Sequence, residues 1–334
     1  MPTLIQKDPT RTTMLRRKFM AEMKRRFAAL KSKIWQLVAV DDCFGLSGPP
    51  SLLDSVLANS RFAFETDGKK IQKYREWFDE QVATDVISLA PGADVTQAWT
   101  SKFVFLAYRQ GVSHGFTAGR PPSTQDSDLD EFSQNLFLDS MFNGPIGTKQ
   151  MELLATRSFE QLNGITKSMS GDIARTLSDG FVQGHNPRKI ARELVKNVEG
   201  LEKKRALVLA RTEIVHAYSE ASLDAMEALG LDEVSAMVEW LAGPTACPLC
   251  APLMGVTLTI DQARGLIPRH PNCLCAWIPA PFREKGQRRG KRAQAAINRS
   301  LISQARQGES LKSIRIRTRW PGADLKILKK LRKG

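Results

Sequence analysis

Histidine and cysteine are scarce in this chain, at four and five among 334 residues. No apolar run approaches the roughly 18 residues needed to cross a bilayer, so no membrane role is expected. No stretch repeats at a solenoid period, which excludes a repeat architecture. Residues 1–33 carry basic side chains throughout and lack an apolar core. A secretory leader is therefore not expected, and the thiols are expected to meet a reducing cytosol, where disulfides are rare. With 42% hydrophobic and 25% charged residues, the chain can bury one large or two ordinary cores.

The scarce cysteines are concentrated. Four of the five, with one of the four histidines, lie between Cys247 and Cys275. A Cys-x2-Cys pair brings two sulfurs together from one tight turn. The stretch from Ala251 to Asn272 is long enough for a hairpin that returns His-x2-Cys-x-Cys to the same point. Zinc takes four N or S ligands in a tetrahedron. Cys247, Cys250, His270, Cys273 and Cys275 thus compete for four places; the favoured set is the first pair, His270 and one of the last two cysteines. Two disulfides, or thiols buried as small hydrophobes like that expected of Cys43, are the competing readings. A hydrolytic zinc keeps an open position beside a carboxylate, and this loop offers only Asp261.

Charge is also unevenly placed. The net charge is +14, and residues 283–334 hold 17 Lys and Arg against 3 acids, while residues 1–282 hold 32 of each. Residues 1–33 carry 10 basic and 2 acidic groups, so a mildly acidic body has two basic ends. Such ends suit a polyanion, since neutralised phosphates release counterions; an acidic protein partner or mere solubility are the alternatives. Candidate nucleic-acid contacts are Arg288, Arg289, Lys291, Arg292, Arg315, Arg317, Arg319, Lys329 and Lys330. From Ser313 to Trp320, Ile314, Ile316, Thr318 and Trp320 alternate with arginines, the period of a strand with one basic face.

The rest reads as mainly α, in an α+β sense: a helical body carrying a small zinc-clamped β-hairpin subdomain and a basic C-terminal tail. Leu15, Phe19, Met23, Phe27, Leu30 and Ile34 form one apolar stripe of a helix capped by Thr12 or Thr13. Ile71, Tyr74, Phe78 and Val82 mark a second helix over residues 69–86, and a third covers 96–109. Residues 113–130 read as a loop or boundary. A further helix from about Gly147 to Gly184 has a break near Gly164. Asn186 and Pro187 cap and open the next, and a longer one spans 202–229. Val234–Leu241 and Val256–Ile260 read as paired strands. Arg211, Thr212 and Glu213 sit on the long helix, where Thr212 and His216 share a face and Arg211 and Glu213 do not; they read as helix-surface or inter-helix ion-pair residues. His114 and His185 read as surface residues.

One series of motifs follows in order: GHNPRKIARELV, then Arg211-Thr212-Glu213 in a long helix, an aromatic strand at Trp240, CPLCAPLMG, HPNCLC, and an apolar segment ending in proline. In this order residues 151–281 resemble the phage head morphogenesis family, the Mu F-like minor head proteins of tailed bacteriophages and prophages. The chain departs from the family in residues 242–246, where an acidic or polar turn is frequent, and at Leu274, where arginine is common. The resemblance implies a minor component of the viral head, associated with the portal and other head proteins and with packaged DNA. It would be found in the host cytoplasm during assembly and then in the virion, and no enzymatic activity comes with the likeness. The expected organisation is a basic N-terminal helical arm (1–60), a helical region (61–145), a head-morphogenesis domain with the metal site (146–282) and a basic tail (283–334). The alternatives are a stand-alone zinc-containing nucleic-acid-binding protein and, third, a metal-dependent nuclease or toxin-like transferase.

Overall fold

A computed structural model describes residues 8–47, 61–90, 92–119, 127–230, 237–243 and 246–280. In chain order these form helices α1 (Thr13–Trp35), α2 (Asp67–Gln81), α3 (Ser101–Gly119), α4 (Ser127–Asn143), α5 (Pro145–Val182), α6 (Pro187–Leu201) and α7 (Leu207–Ala228). Strands β1 (Val238–Leu241) and β2 (Thr257–Leu258), the one-turn helix α8 (Ile260–Ala263) and strand β3 (Ala276–Pro279) follow. Wider helical turns lie at Gln36–Val40, Val82–Ile87 and Glu202–Ala206. The fold is mainly α with one small antiparallel sheet of order β2-β1-β3. The chain divides into two compact units: the first comprises Met1–Arg16, Phe103–Leu154 and Arg211–Gly334, the second Arg17–Lys102 and Ala155–Ala210. Each draws on stretches far apart in the chain, an organisation that composition shifts along the sequence do not reveal.

In the second unit, the stripe read on α1 is buried from Phe19 through Ile34. Trp99 meets Phe19 edge-on at 5.6 Å, donates its indole N–H to the Val86 carbonyl at 2.8 Å, and carries the Arg26 guanidinium 4.4 Å above its ring. Tyr74 and Trp77 of α2 are buried, and Tyr74 joins Phe44, Phe62 and Phe181 in an aromatic cluster. Helix α6 is strongly amphipathic: Ile190, Ala191, Leu194 and Val198 are buried, and the helix packs against the turn Gln36–Val40. Its cap is as expected, with the Asn186 side-chain oxygen accepting from the Lys189 N–H at 2.9 Å and Pro187 in the first turn.

In the first unit, α3 and α7 cross with almost no space between their backbones. A Cβ added at Gly111 would lie 2.3 Å from the Tyr218 carbonyl oxygen, and one at Gly115 would lie 2.5 Å from that of Ser222. Alanines 221 and 225 supply the opposing small side chains. The close crossing brings Tyr108 of α3 to Asp224 of α7, where the phenol donates to Oδ2 at 3.0 Å and Arg264 donates to Oδ1 at 2.6 Å. Burial raises the Asp224 carboxyl above its ordinary value, outweighing the lowering by Arg264 and Tyr108.

Several expectations are corrected. Residues 113–119 are helical, as the C-terminal part of α3, and α4 begins at Ser127, so the Gly- and Ser-containing stretch is not one long loop. Glycine is tolerated in α3 because the crossing requires it at two positions. Helix α5 runs unbroken through Gly164, the cost of about 1 kcal/mol for one glycine being small in a helix of 38 residues. Helix α3 starts at Ser101, after a tight turn at Val95–Gln97, and not at Thr96. The first turn of α1 is capped by Asp8, whose carboxylate accepts from the Thr13 N–H at 3.1 Å. His114 is not a surface residue: it stacks on Tyr218 at 5.5 Å, its Nε2 lies 3.1 Å from the Trp277 carbonyl, and burial lowers its pKa. His185 lies between Lys189 and Glu193, 3.5 Å from the latter carboxylate.

Candidate metal centre

The sheet register decides where the two cysteine groups meet. Leu241 at the end of β1 pairs with Ala276 at the start of β3. The chain leaving β1 toward Cys247 and the chain arriving at β3 from Cys275 therefore share one end of the sheet. Trp240 and Trp277 stand opposite each other in the same register, both fully buried, with rings edge-to-face at 5.2 Å. They close the base of the site against a core that includes Leu253, Leu266 and Ile267 of the module and Val215, Leu223 and Met226 of α7.

Each group is a tight turn. The Cys250 and Ala251 N–H groups both donate to the Cys247 carbonyl, at 3.0 and 2.9 Å, so Cys247 and Cys250 project from one side of the turn. The Cys273 N–H donates to the His270 carbonyl at 3.1 Å, helped by Asn272 in the left-handed region at φ 63°. Between them, Gly255 at φ 77° turns the chain into β2, and a capping box between Thr259 and Gln262 starts α8.

The donors converge. Cys247, Cys250 and His270 form one group, and Cys250, Cys273 and Cys275 another, with ligand atoms within 4.8 Å of one another in each. Cys250 belongs to both, so it is not the spare donor. The Cys250 and Cys273 sulfurs are 3.9 Å apart, close to the roughly 3.8 Å between two thiolates on one tetrahedral ion with metal–sulfur bonds of about 2.3 Å. His270 Nε2 lies 3.0 Å from the Cys247 sulfur, while Nδ1 donates to the Pro271 carbonyl at 2.8 Å, which fixes Nε2 as the ring atom aimed at the thiols. None of the five cysteines is in a disulfide, and Cys43 is buried outside this site.

The electrostatics are those of a donor set. Hydrogen bonds from Cys250 and Cys275 hold the Cys273 thiol well below its ordinary pKa, against the effect of burial. The bond to Cys273 raises His270 to about 9, and the bonds to Cys273 and Cys275, with burial, push Cys250 up. A divalent cation among these donors would displace the thiol protons. The residues fit such an ion: sulfur and imidazole donors suit a borderline or soft metal, and these clustered groups could hold one. Asp261, by contrast, is exposed on the first turn of α8 and belongs to neither group.

The long helix docks on this module through the face read from the sequence. Thr212 Oγ1 accepts from the Asn272 N–H at 3.5 Å, and His216 Nδ1 lies 3.4 Å from the Ile267 carbonyl. The shared face of Thr212 and His216 thus covers the loop that carries His270. Glu213 and Arg269 are both buried, so Glu213 is not a helix-surface residue. Trp240 is legible in the sequence only as a strand aromatic; its indole, after the larger effect of Cys250, opposes the bond to Cys273 and the burial that push the Cys275 thiol up. The candidate nucleic-acid contacts Arg288, Arg289, Lys291, Arg292, Arg315, Arg317, Arg319, Lys329 and Lys330 lie outside the described residues, as does most of the interval from Val234 to Met237. Among the described residues, no helix is long and apolar enough to cross a membrane. No family model, curated protein or solved structure matches this chain.

Proposed function

We propose that this chain is a minor head protein of a tailed phage or prophage, acting in head assembly and DNA packaging near the portal, with zinc in the Cys/His site as a structural ion. The observation that carries the reading is the convergence of Cys-x2-Cys and His-x2-Cys-x-Cys at one end of the sheet, under the helix bearing Arg211-Thr212-Glu213. The later motifs of that order, from Arg211-Thr212-Glu213 to HPNCLC, are thus parts of one compact unit, while GHNPRKIARELV belongs to the other. Zinc is favoured by a donor set of thiols and one imidazole with no carboxylate among them. In this role the ion holds a module whose strands are four, two and four residues long and too short to order themselves. The basic tail is the part of the chain that meets DNA, with portal and other head proteins as the remaining partners.

Quantitative mass spectrometry of purified heads from a producing lysogen tests this reading. The expected result is the protein in the particles at few copies, with empty or aberrant heads after disruption of its gene. Absence from particles, with normal heads after disruption, contradicts it. The second reading, a stand-alone zinc-containing nucleic-acid-binding protein, is favoured by the net charge of +14 and predicts the protein on host or phage DNA in particle-free lysate.

A further inference from the structure

The second unit carries a feature that the cysteine motifs and the tail leave unused. Helices α5 and α6 and the wide turn Glu202–Ala206 enclose an open groove of about 780 Å³. Its lining includes five cations, Arg175, Lys196, Lys203, Lys204 and Arg205, against three acids, Asp172, Asp179 and Glu199. Two of the acids are engaged by groove cations: Asp172 lies 3.6 Å from Arg175, and Glu199 pairs with Lys203. Lys196, Lys204 and Arg205, all exposed, are then left with Asp179 among the groove's own acids, with Glu193 near Lys196 in an adjoining recess, and Arg205 is steered by a 3.1 Å bond to Ser168.

We infer that this groove is a second nucleic-acid contact that binds the phosphate backbone without reading sequence. Three consecutive basic residues on a wide helical turn point in successive directions, which suits a run of phosphates better than one anion. The lining has no aromatic side chain to stack on a base, so sequence readout is not expected. Leu201 is its one large apolar side chain. That argues against an acidic protein as the ligand, because protein interfaces rely on a buried apolar or aromatic anchor. The ion pairs at the rim do not prevent binding, since exposed pairs are weak and a phosphate can take over their cations. The inference deepens the DNA-facing part of the proposed function, but it concerns the folded body and stands whether or not the tail binds.

The test uses the full-length protein and a short fluorescent DNA duplex of arbitrary sequence, with affinity measured across salt concentrations. Lys196→Gln, Lys204→Gln and Arg205→Gln are combined in a groove variant; Arg315→Gln, Arg317→Gln and Arg319→Gln form a tail variant. Lys69→Gln, Lys73→Gln and Arg192→Gln, at exposed sites outside the groove, match the charge change as a control. Removing one cation that neutralises a phosphate reduces the salt slope by about 0.9, so the groove variant is expected to lower it by roughly 2 to 3. The control should leave the slope near that of the unaltered protein, and single substitutions should give graded losses. A groove variant with the slope and affinity of the control overturns the inference. So does displacement of the duplex by polyglutamate as readily as by DNA of equal charge, which assigns the groove to an acidic protein. Loss on groove neutralisation alone, with the tail variant unaffected, keeps the groove and refutes the tail as the DNA-facing part.

Discussion

The helices of the second unit bury Phe19, Met23, Phe27, Leu30, Ile34, Tyr74 and Phe78 completely, in stripes that recur every three or four residues. Among its described residues, the module from Val238 to Pro279 has three short strands, two short helical turns, two tryptophans packed edge-to-face and five sulfur or imidazole donors. The first region has enough apolar surface on long helices to order itself. The second has a smaller core around Trp240 and Trp277 and closes at one end on donors that touch thiol against thiol and thiol against imidazole, contacts that are weak unless an ion links them. Removing a metal should therefore loosen one region and leave the other intact.

The largest expected effect is in the module. Cys250 belongs to both donor groups, so Cys250→Ser should abolish metal binding and unfold the module locally. Structural zinc sites contribute on the order of 10–16 kcal/mol of apparent binding energy in small peptides. Hydrogen exchange should show loss of protection at Trp240 and Trp277 with little change in α1 and α6; equal loss in both would break the comparison. Phe27→Ala should do the reverse. It removes a fully buried ring from α1 at about 3–5 kcal/mol, measured by denaturant unfolding, and should leave the metal content at its original stoichiometry.

Gly111→Ala probes the first unit away from the donors. The added methyl group would meet the Tyr218 carbonyl, and overpacking of this kind costs about 1–3 kcal/mol. A thermal melt unchanged by the substitution would mean that the α3–α7 crossing can relax. The smallest effect concerns pH. Although burial opposes its ionisation, bonds from Thr13 and Thr10 and the Arg16 charge hold Asp8 below its ordinary carboxyl pKa of 3.8. A depressed folded-state value means that its contribution is complete above the unfolded pKa and is lost as pH falls through the folded one. Asp8→Asn should therefore reduce stability at neutral pH and converge with the unaltered protein in strong acid, as measured by unfolding at each pH.

What was legible follows the same division. The stripe of α1, the Asn186 cap and the five donors could be read because each depends on residues within a few turns of one another. The break expected near Gly164 failed because one glycine costs a long helix little, and the loop expected from Ser113 failed because a tertiary contact decides it: Gly111 and Gly115 are helical where α7 needs their missing side chains. Their four-residue spacing was the available signal. Strand β3 and the facing of Trp240 and Trp277 depend on pairing across the whole Cys/His loop, which local periodicity does not encode. The groove cations were visible as Lys203-Lys204-Arg205, but only folding adds Arg175 and Lys196 to them.

The module's order depends on one cation that ties Cys250 to the donors on both sides of it. Elemental analysis of freshly purified full-length protein, before and after chelation, tests it most directly when followed by hydrogen exchange. About one zinc per chain is expected, with chelation exposing residues 240–279 and sparing the second unit. Metal-free protein whose module is as protected as its helices would contradict it.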